Sequence, residues 1–236
     1  MTKIKRGKIM RIRRKPWARP ELELCPFFLN NPTKNLNKWN SYFKNNLPIY
    51  LELGCGKGGF LAQLASENKN INFIGIDLKS DMLGLAKRNI EKVYNQKNEN
   101  IDNVVLLSYD IERIENVIGE QDKIDRIYIN FCNPWPKPRH KKKRLTHTRQ
   151  LEMYKKFLKQ DGEIYFKTDD EGLFNDSLKY FIQEGFKIIF QTTDLHKENI
   201  NDNTTTEHEK MFTEQGIPIK ALIAQKTNNI KNHIII

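Results

Sequence analysis

Cysteine is scarce in this chain, with three in 236 residues: Cys25, Cys55 and Cys132. An odd count without zinc-ligand spacing predicts neither a disulfide framework nor a structural metal, and suits a reducing compartment. Long apolar runs are also missing. No stretch approaches the roughly 20 residues of a membrane helix, and no secretory-type apolar segment follows the basic N-terminal residues. The expectation is a cytoplasmic protein with no membrane partner. Acid is absent from two places. Residues 1–20 hold nine Lys or Arg and no Asp or Glu, and residues 137–144 hold six more and again no acid. The net charge of +11 resides in those stretches, because the remaining chain carries 25 basic against 29 acidic residues. Two dense basic segments on a mildly acidic body read as the electrostatic footprint of a polyanion partner.

Enough is present to build a core: 38% of residues are hydrophobic and 10% aromatic, consistent with one larger α/β domain. From Pro48 onward, apolar runs alternate with amphipathic segments. "PIYLELG", "INFIGIDL", "NVVLLSYD", "RIYINFCN" and "GEIYFKTD" read as strands. Helices are predicted at "FLAQLAS", "DMLGLAKRNIEKVYNQ", Thr146 to Lys159 and "LFNDSLKYFIQEG". Two further strands, "FKIIFQTTD" and "IPIKALIAQK", flank a long polar connection, "HKENINDNTTTEHEK", with no clear helix of comparable length between them. The expectation is a mostly parallel seven-stranded sheet with helices on both faces and an antiparallel last strand. The predicted organisation is a basic N-terminal arm (1–47), one domain (48–226) and a loose tail (227–236).

"LELGCGKGGF" contains a G-x-G-x-x-G pattern at Gly54, Gly56 and Gly59, between a predicted strand and a predicted helix. The pattern alone is weak, since any tight strand-to-helix turn calls for glycine. A nicotinamide cofactor would set its pyrophosphate at the helix N-terminus. Glu52, two residues before the first glycine, would oppose that charge. S-adenosylmethionine carries an ammonium and a sulfonium and no phosphate, so the same carboxylate becomes an asset. Asp77, ending the second strand, can grip ribose hydroxyls of either cofactor. Asp110, ending the third, reads equally as an adenine contact and as the N-cap of "IERIENV".

The fourth strand runs into Asn133, Pro134, Trp135 and Pro136, then into Lys137, Arg139, Lys141, Lys142, Lys143 and Arg144. Ligands of open α/β sheets bind at the carboxyl ends of the strands, which places this loop beside the reactive end of a cofactor. Prolines fix its path, the tryptophan offers a stacking surface and the cations can clamp phosphates.

"LELGCGKGGF", "FIGID", "NFCNPWPKPRHKKKRLT", "FKTDDEGLF" and "TTEHEKMF", with the opening "MRIRRKPWA", together resemble the bacterial tRNA (guanine-N7-)-methyltransferase family. The likeness runs from about Met10 to Gln225, with the motifs in family order. It implies a Rossmann-like class I methyltransferase fold, S-adenosylmethionine as cofactor and tRNA as partner, in a monomer or a homodimer. Glu52, Gly54, Gly56, Asp77, Asp110 and Asn133 are then expected at the cofactor. Lys137, Asp169, Thr206, Glu207, His208 and Glu209 are expected at the substrate nucleotide, with Asn133 and Asp169 at the reacting atoms. Arg139, His140, Lys141, Lys142, Lys143 and Arg144 are expected on the RNA backbone. Three positions depart from the family pattern: Asn133 stands where Asp is usual, Asp77 where Glu is usual, and His208 where an aromatic is usual.

The implied reaction is methylation of guanosine N7 in the tRNA variable loop. N7 presents an available lone pair, so no general base is needed and the work is positioning. A covalent role for Cys132 is disfavoured, because a cysteine at an apolar strand end is more often inert core. Two alternatives stand beside this reading: methylation at another RNA base position, and a non-enzymatic RNA-binding protein on a degenerate methyltransferase fold.

Overall fold

The computed structural model describes residues 14–198 and 204–227. The first 13 residues of the predicted arm, positions 199–203 of the polar connection and the predicted tail from 228 onward lie outside them.

Runs rich in Ile, Val, Leu and Phe form the strands, where β-branched and aromatic side chains pack well on a pleated surface. In chain order the strands are β1 (Phe28–Leu29), β2 (Ile49–Leu53), β3 (Asn72–Asp77), β4 (Val104–Ser108), β5 (Ile124–Asn130), β6 (Leu158–Thr168), β7 (Phe186–Thr192) and β8 (Lys220–Lys226). They form one sheet in the order β1-β4-β3-β2-β5-β6-β8-β7. All pairs are parallel except β8, which runs antiparallel to both β6 and β7. The seven expected strands are present, and β1 adds an eighth, a two-residue edge beside β4. One expected boundary moves. β6 begins at Leu158 rather than after the Asp161-Gly162 turn, and Asp161 sits inside it at φ +60° where the register with β5 shifts.

The helices are α1 (Ala18–Glu23), α2 (Trp39–Tyr42), α3 (Gly59–Glu67), α4 (Ser80–Gln96), α5 (Thr148–Phe157), α6 (Glu171–Gln183) and α7 (Glu207–Glu214). Two apolar clusters lie on opposite faces of the sheet. One joins Leu61, Leu83, Ala86 and Ile90 of α3 and α4 to Phe73 and Leu106. The other joins Leu151, Phe157, Leu173 and Phe181 of α5 and α6 to Ile127 and Phe166. Each of these leucine, isoleucine and phenylalanine side chains contributes about 1.5–3 kcal/mol when fully buried.

The stretch before β2 packs onto this body. Trp39 is fully buried, donates from Nε1 to the Val117 carbonyl at 2.7 Å, and its backbone N–H reaches the Asp122 carboxylate at 3.0 Å. Asp122 also accepts from the N–H groups of Asn37 and Gly119, so one buried carboxylate fastens the segment to the sheet. Arg88 of α4 stacks over the Trp17 ring at 3.5 Å and pairs with Glu21 of α1. The polar connection holds a helix that periodicity did not reveal. α7 starts with a capping box, in which Thr206 accepts from the Glu209 N–H and Glu209 reaches back to the Thr206 N–H. Such a box stabilises a short helix without an apolar stripe. No described helix is long and apolar enough to cross a membrane.

Candidate cofactor and nucleotide site

β2 and β3 end side by side and deliver Glu52 and Asp77 to the same edge of the sheet. Tight turning follows. The Ile76 carbonyl accepts from the N–H of Gly54 at 2.8 Å and of Cys55 at 3.0 Å. Asp77 is held by two backbone donors, Gly56 N–H to Oδ2 at 3.0 Å and Lys79 N–H to Oδ1 at 2.8 Å. Burial nonetheless pushes the Asp77 carboxyl above its ordinary value, against those two hydrogen bonds. The glycine that the turn requires beyond Gly54 and Gly56 is Gly58 rather than Gly59. Gly58 caps α3 at φ +68°, and a Cβ there would lie 2.6 Å from the Ala86 Cβ. Only glycine meets both demands, and the adjacent Gly58-Gly59 pair was the available signal.

Glu52 is 4% exposed. Its Oε1 accepts from Asn130 Nδ2 at 3.2 Å, while Oε2 has no hydrogen-bond partner. Burial drives its carboxyl up to about 8, helped by the nearby Asp77 and opposed by the Asn130 hydrogen bond and by Lys167. A buried carboxylate lacking a counter-ion stays protonated until a cation arrives. Asn130 was not among the expected site residues. It is a polar residue ending an apolar strand beside Glu52, a signal visible in "YINFCN".

The other expected residues fall into three groups. Asp110 is half-buried and accepts from the Glu112 N–H at 3.0 Å, capping the turn Ile111–Asn116. Asn133 is exposed and accepts from the Trp135 N–H at 3.0 Å. Asp169 is half-buried at the end of β6, where its backbone carbonyl accepts from Lys220 Nζ at 3.2 Å. Asp170, the next residue, caps α6 by accepting from the Leu173 N–H.

α7 lies against the glycine turn. Glu207 pairs with Lys57 at 3.1 Å, and His208 stacks on Phe131 with ring centroids 5.7 Å apart. Thr206 and Glu209 face inward. Glu209 is fully buried, and its Oε2 accepts from Lys167 Nζ at 3.0 Å. Lys167 also donates to the Thr204 carbonyl at 3.1 Å, so this ion pair ties α7 to the end of β6. A cavity of about 300 Å³, lined by Phe60, Tyr128, Tyr165 and Phe190 among others, reaches Lys167 from the sheet face.

The basic loop divides. Lys137, Arg139 and Lys142 are exposed; His140 stacks on Trp135 at 5.6 Å, and Lys143 lies over the same ring at 5.3 Å. Lys141 and Arg144 both bond Asp176 of α6 at 2.6 Å. Arg144 is 3% exposed and also donates to the Pro134 carbonyl, which staples the loop to the domain. Cys132 is half-buried, and desolvation pushes its thiol up to about 12, so no thiolate is available for attack. No group of His, Cys, Asp and Glu able to hold a metal occurs among the described residues.

Residues 46–222 match the model of a family described as "Putative methyltransferase". The tRNA (guanine-N(7)-)-methyltransferase of Clostridium beijerinckii is 61% identical over 219 residues, covering 93% of this chain and 100% of that protein. Its counterpart in Acetivibrio thermocellus is 52% identical over 217 residues, covering 92% and 100%. Among solved structures, the aminoglycoside resistance methyltransferase NpmB1 is similar at TM-score 0.54 and 14% identity, over 81% of this chain and 93% of that one. The 16S rRNA methyltransferase KamB matches at TM-score 0.54 and 11% identity, over 76% and 88%. These two likenesses show the methyltransferase fold. The carboxylate strand ends, the glycine turn and the Pro-Trp-basic loop thus occur in a sequence more than half identical to its relatives, and the chain belongs to the tRNA (guanine-N(7)-)-methyltransferase family.

Proposed function

We propose that this protein transfers the methyl group of S-adenosylmethionine to N7 of a guanosine in tRNA, in the cytoplasm. Its relatives carry that activity in their names, and the observation that carries the reading here is Glu52, a buried carboxylate with an unpartnered oxygen before a glycine turn. Such a group ionises opposite a cationic ligand and gains nothing from a pyrophosphate. When bound, S-adenosylmethionine supplies an electrophilic methyl group on a positively charged sulfur.

The protein's part is binding and positioning. Glu52 would hold the ammonium of the cofactor. Asp77, already fixed by two backbone donors, would take ribose hydroxyls, and Asp110 would accept from the adenine amine. Gly54 and Gly56 let the backbone approach closely, and Asn133 would stand near the reacting end. Guanine N7 needs no deprotonation, so in-line placement is the main task. Asp169 would accept from the base's N1 and N2 hydrogens and stabilise the positive charge that develops on the ring. Lys137 would donate to O6 or to a phosphate, and Glu207 and His208 at the start of α7 would close over the base. A guanosine in folded tRNA leaves its stack to enter such a site. Of the cationic loop, Lys137, Arg139 and Lys142 are the residues free to face phosphates, while Arg144 holds the loop in place.

The test is incubation with S-adenosylmethionine labelled in its methyl group and unmodified tRNA, followed by nucleoside digestion and chromatography. Label in 7-methylguanosine is expected. Label in another nucleoside would overturn the N7 assignment, and none despite cofactor binding would favour the non-enzymatic RNA-binding reading.

A further inference from the structure

We infer that Asn130 is a cofactor-binding residue: its amide oxygen and Glu52 Oε2 together accept from the ammonium of the amino-acid end of S-adenosylmethionine. The inference rests on the reading above that the chain uses that cofactor.

β2 and β5 are adjacent parallel strands with Glu52 opposite Tyr128. Side chains alternate along a strand, so Asn130, two residues beyond Tyr128, emerges on the same face as Glu52. The contact follows, Asn130 Nδ2 to Glu52 Oε1 at 3.2 Å. Once Glu52 is ionised opposite a ligand cation it accepts only, so the amide keeps its NH₂ toward Glu52, as the contact has it, and its oxygen away. Both remaining acceptors, Glu52 Oε2 and Asn130 Oδ1, are buried and have no hydrogen-bond partner.

With Glu52 ionised, two buried acceptors on contacting side chains without a donor are costly, and the ligand that relieves both carries positive charge and at least two N–H groups. A primary ammonium has three. Lys167, opposite Asn130 across the β5–β6 ladder, bonds Glu209 and the Thr204 carbonyl, which directs it toward α7. Asn133 is exposed and bonds the Trp135 N–H, so it does not reach these acceptors.

The test compares equilibrium binding of S-adenosylmethionine, S-adenosylhomocysteine and 5′-methylthioadenosine, which keeps the nucleoside and lacks the amino-acid end. Asn130→Ala is expected to weaken the first two at least tenfold and to change the third less than twofold. Glu52→Gln should show the same selectivity, and the double variant should lose less than the product of the single losses, because both groups serve one ammonium. Equal loss of all three ligands, or loss of none, overturns the inference while leaving the cofactor assignment intact. Failure of the wild-type protein to bind any of them overturns the cofactor assignment itself. Should Asn130→Ala not fold, Asn130→Ser, which keeps a hydroxyl for Glu52, carries the same comparison.

Discussion

Cofactor binding should release a proton, and Glu52 is its source. Desolvation holds this carboxyl up to about 8 in the free protein, with Asp77 adding to the shift. At pH 7 about nine molecules in ten therefore carry the Glu52 proton, and pairing with a ligand ammonium expels about 0.9 proton. Affinity for S-adenosylhomocysteine should rise about thirtyfold between about pH 5.5 and pH 7, a window in which the ligand ammonium stays charged. Isothermal titration in two buffers of different ionisation enthalpy reads the released proton directly. Glu52→Gln should abolish the release, flatten the pH dependence and weaken binding by about tenfold or more, as expected for loss of a charge-assisted hydrogen bond. The same shift makes the ligand-free protein less stable as pH rises from about 4.5 toward 8. The unfolded chain gives up the Glu52 proton first, so the folded state binds more protons throughout that range. Wild-type binding with no proton release, or affinity independent of pH, would refute the reasoning.

The divided basic loop makes two opposite predictions. Arg144→Ala, which strips the Pro134 carbonyl of its donor and leaves Asp176 paired with Lys141 alone, should cost about 2 kcal/mol of stability in a denaturant melt. Lys142→Ala should leave the melt unchanged while lowering the salt dependence of tRNA affinity by about one unit of slope. In the glycine turn, Gly58→Ala combines a positive φ with a 2.6 Å approach to Ala86 and should destabilise by about 2 kcal/mol or more, whereas Gly59→Ala faces only the movable Glu207 and should be nearly neutral. Asp169→Ala should lower turnover far more than cofactor affinity in single-turnover and binding assays; equal loss of both would remove its role at the base. Cys132→Ser should retain full activity, since desolvation keeps its thiol protonated.

The sheet was legible in the sequence because its strands are buried on both faces and read as continuous apolar runs, as in "INFIGIDL". Glu52, Asp77 and Asp110 were legible as strand ends because a parallel sheet brings every such terminus to one edge. α7 was not legible: its stability comes from a capping box and the Lys167–Glu209 pair, and Lys167 lies 42 residues away in sequence. Arg144 could not be told from its five cationic neighbours, since Asp176 on α6, 32 residues away, and the Pro134 carbonyl turn it inward. The sequence by itself determined the fold class, the edge at which ligands meet it and the sign of charge around it, all of which follow from local pattern and composition. Only the tertiary structure decided which polar groups are paired and which are left wanting. It alone brought Asn130 to Glu52, since two residues 78 apart become neighbours only when β2 and β5 pair.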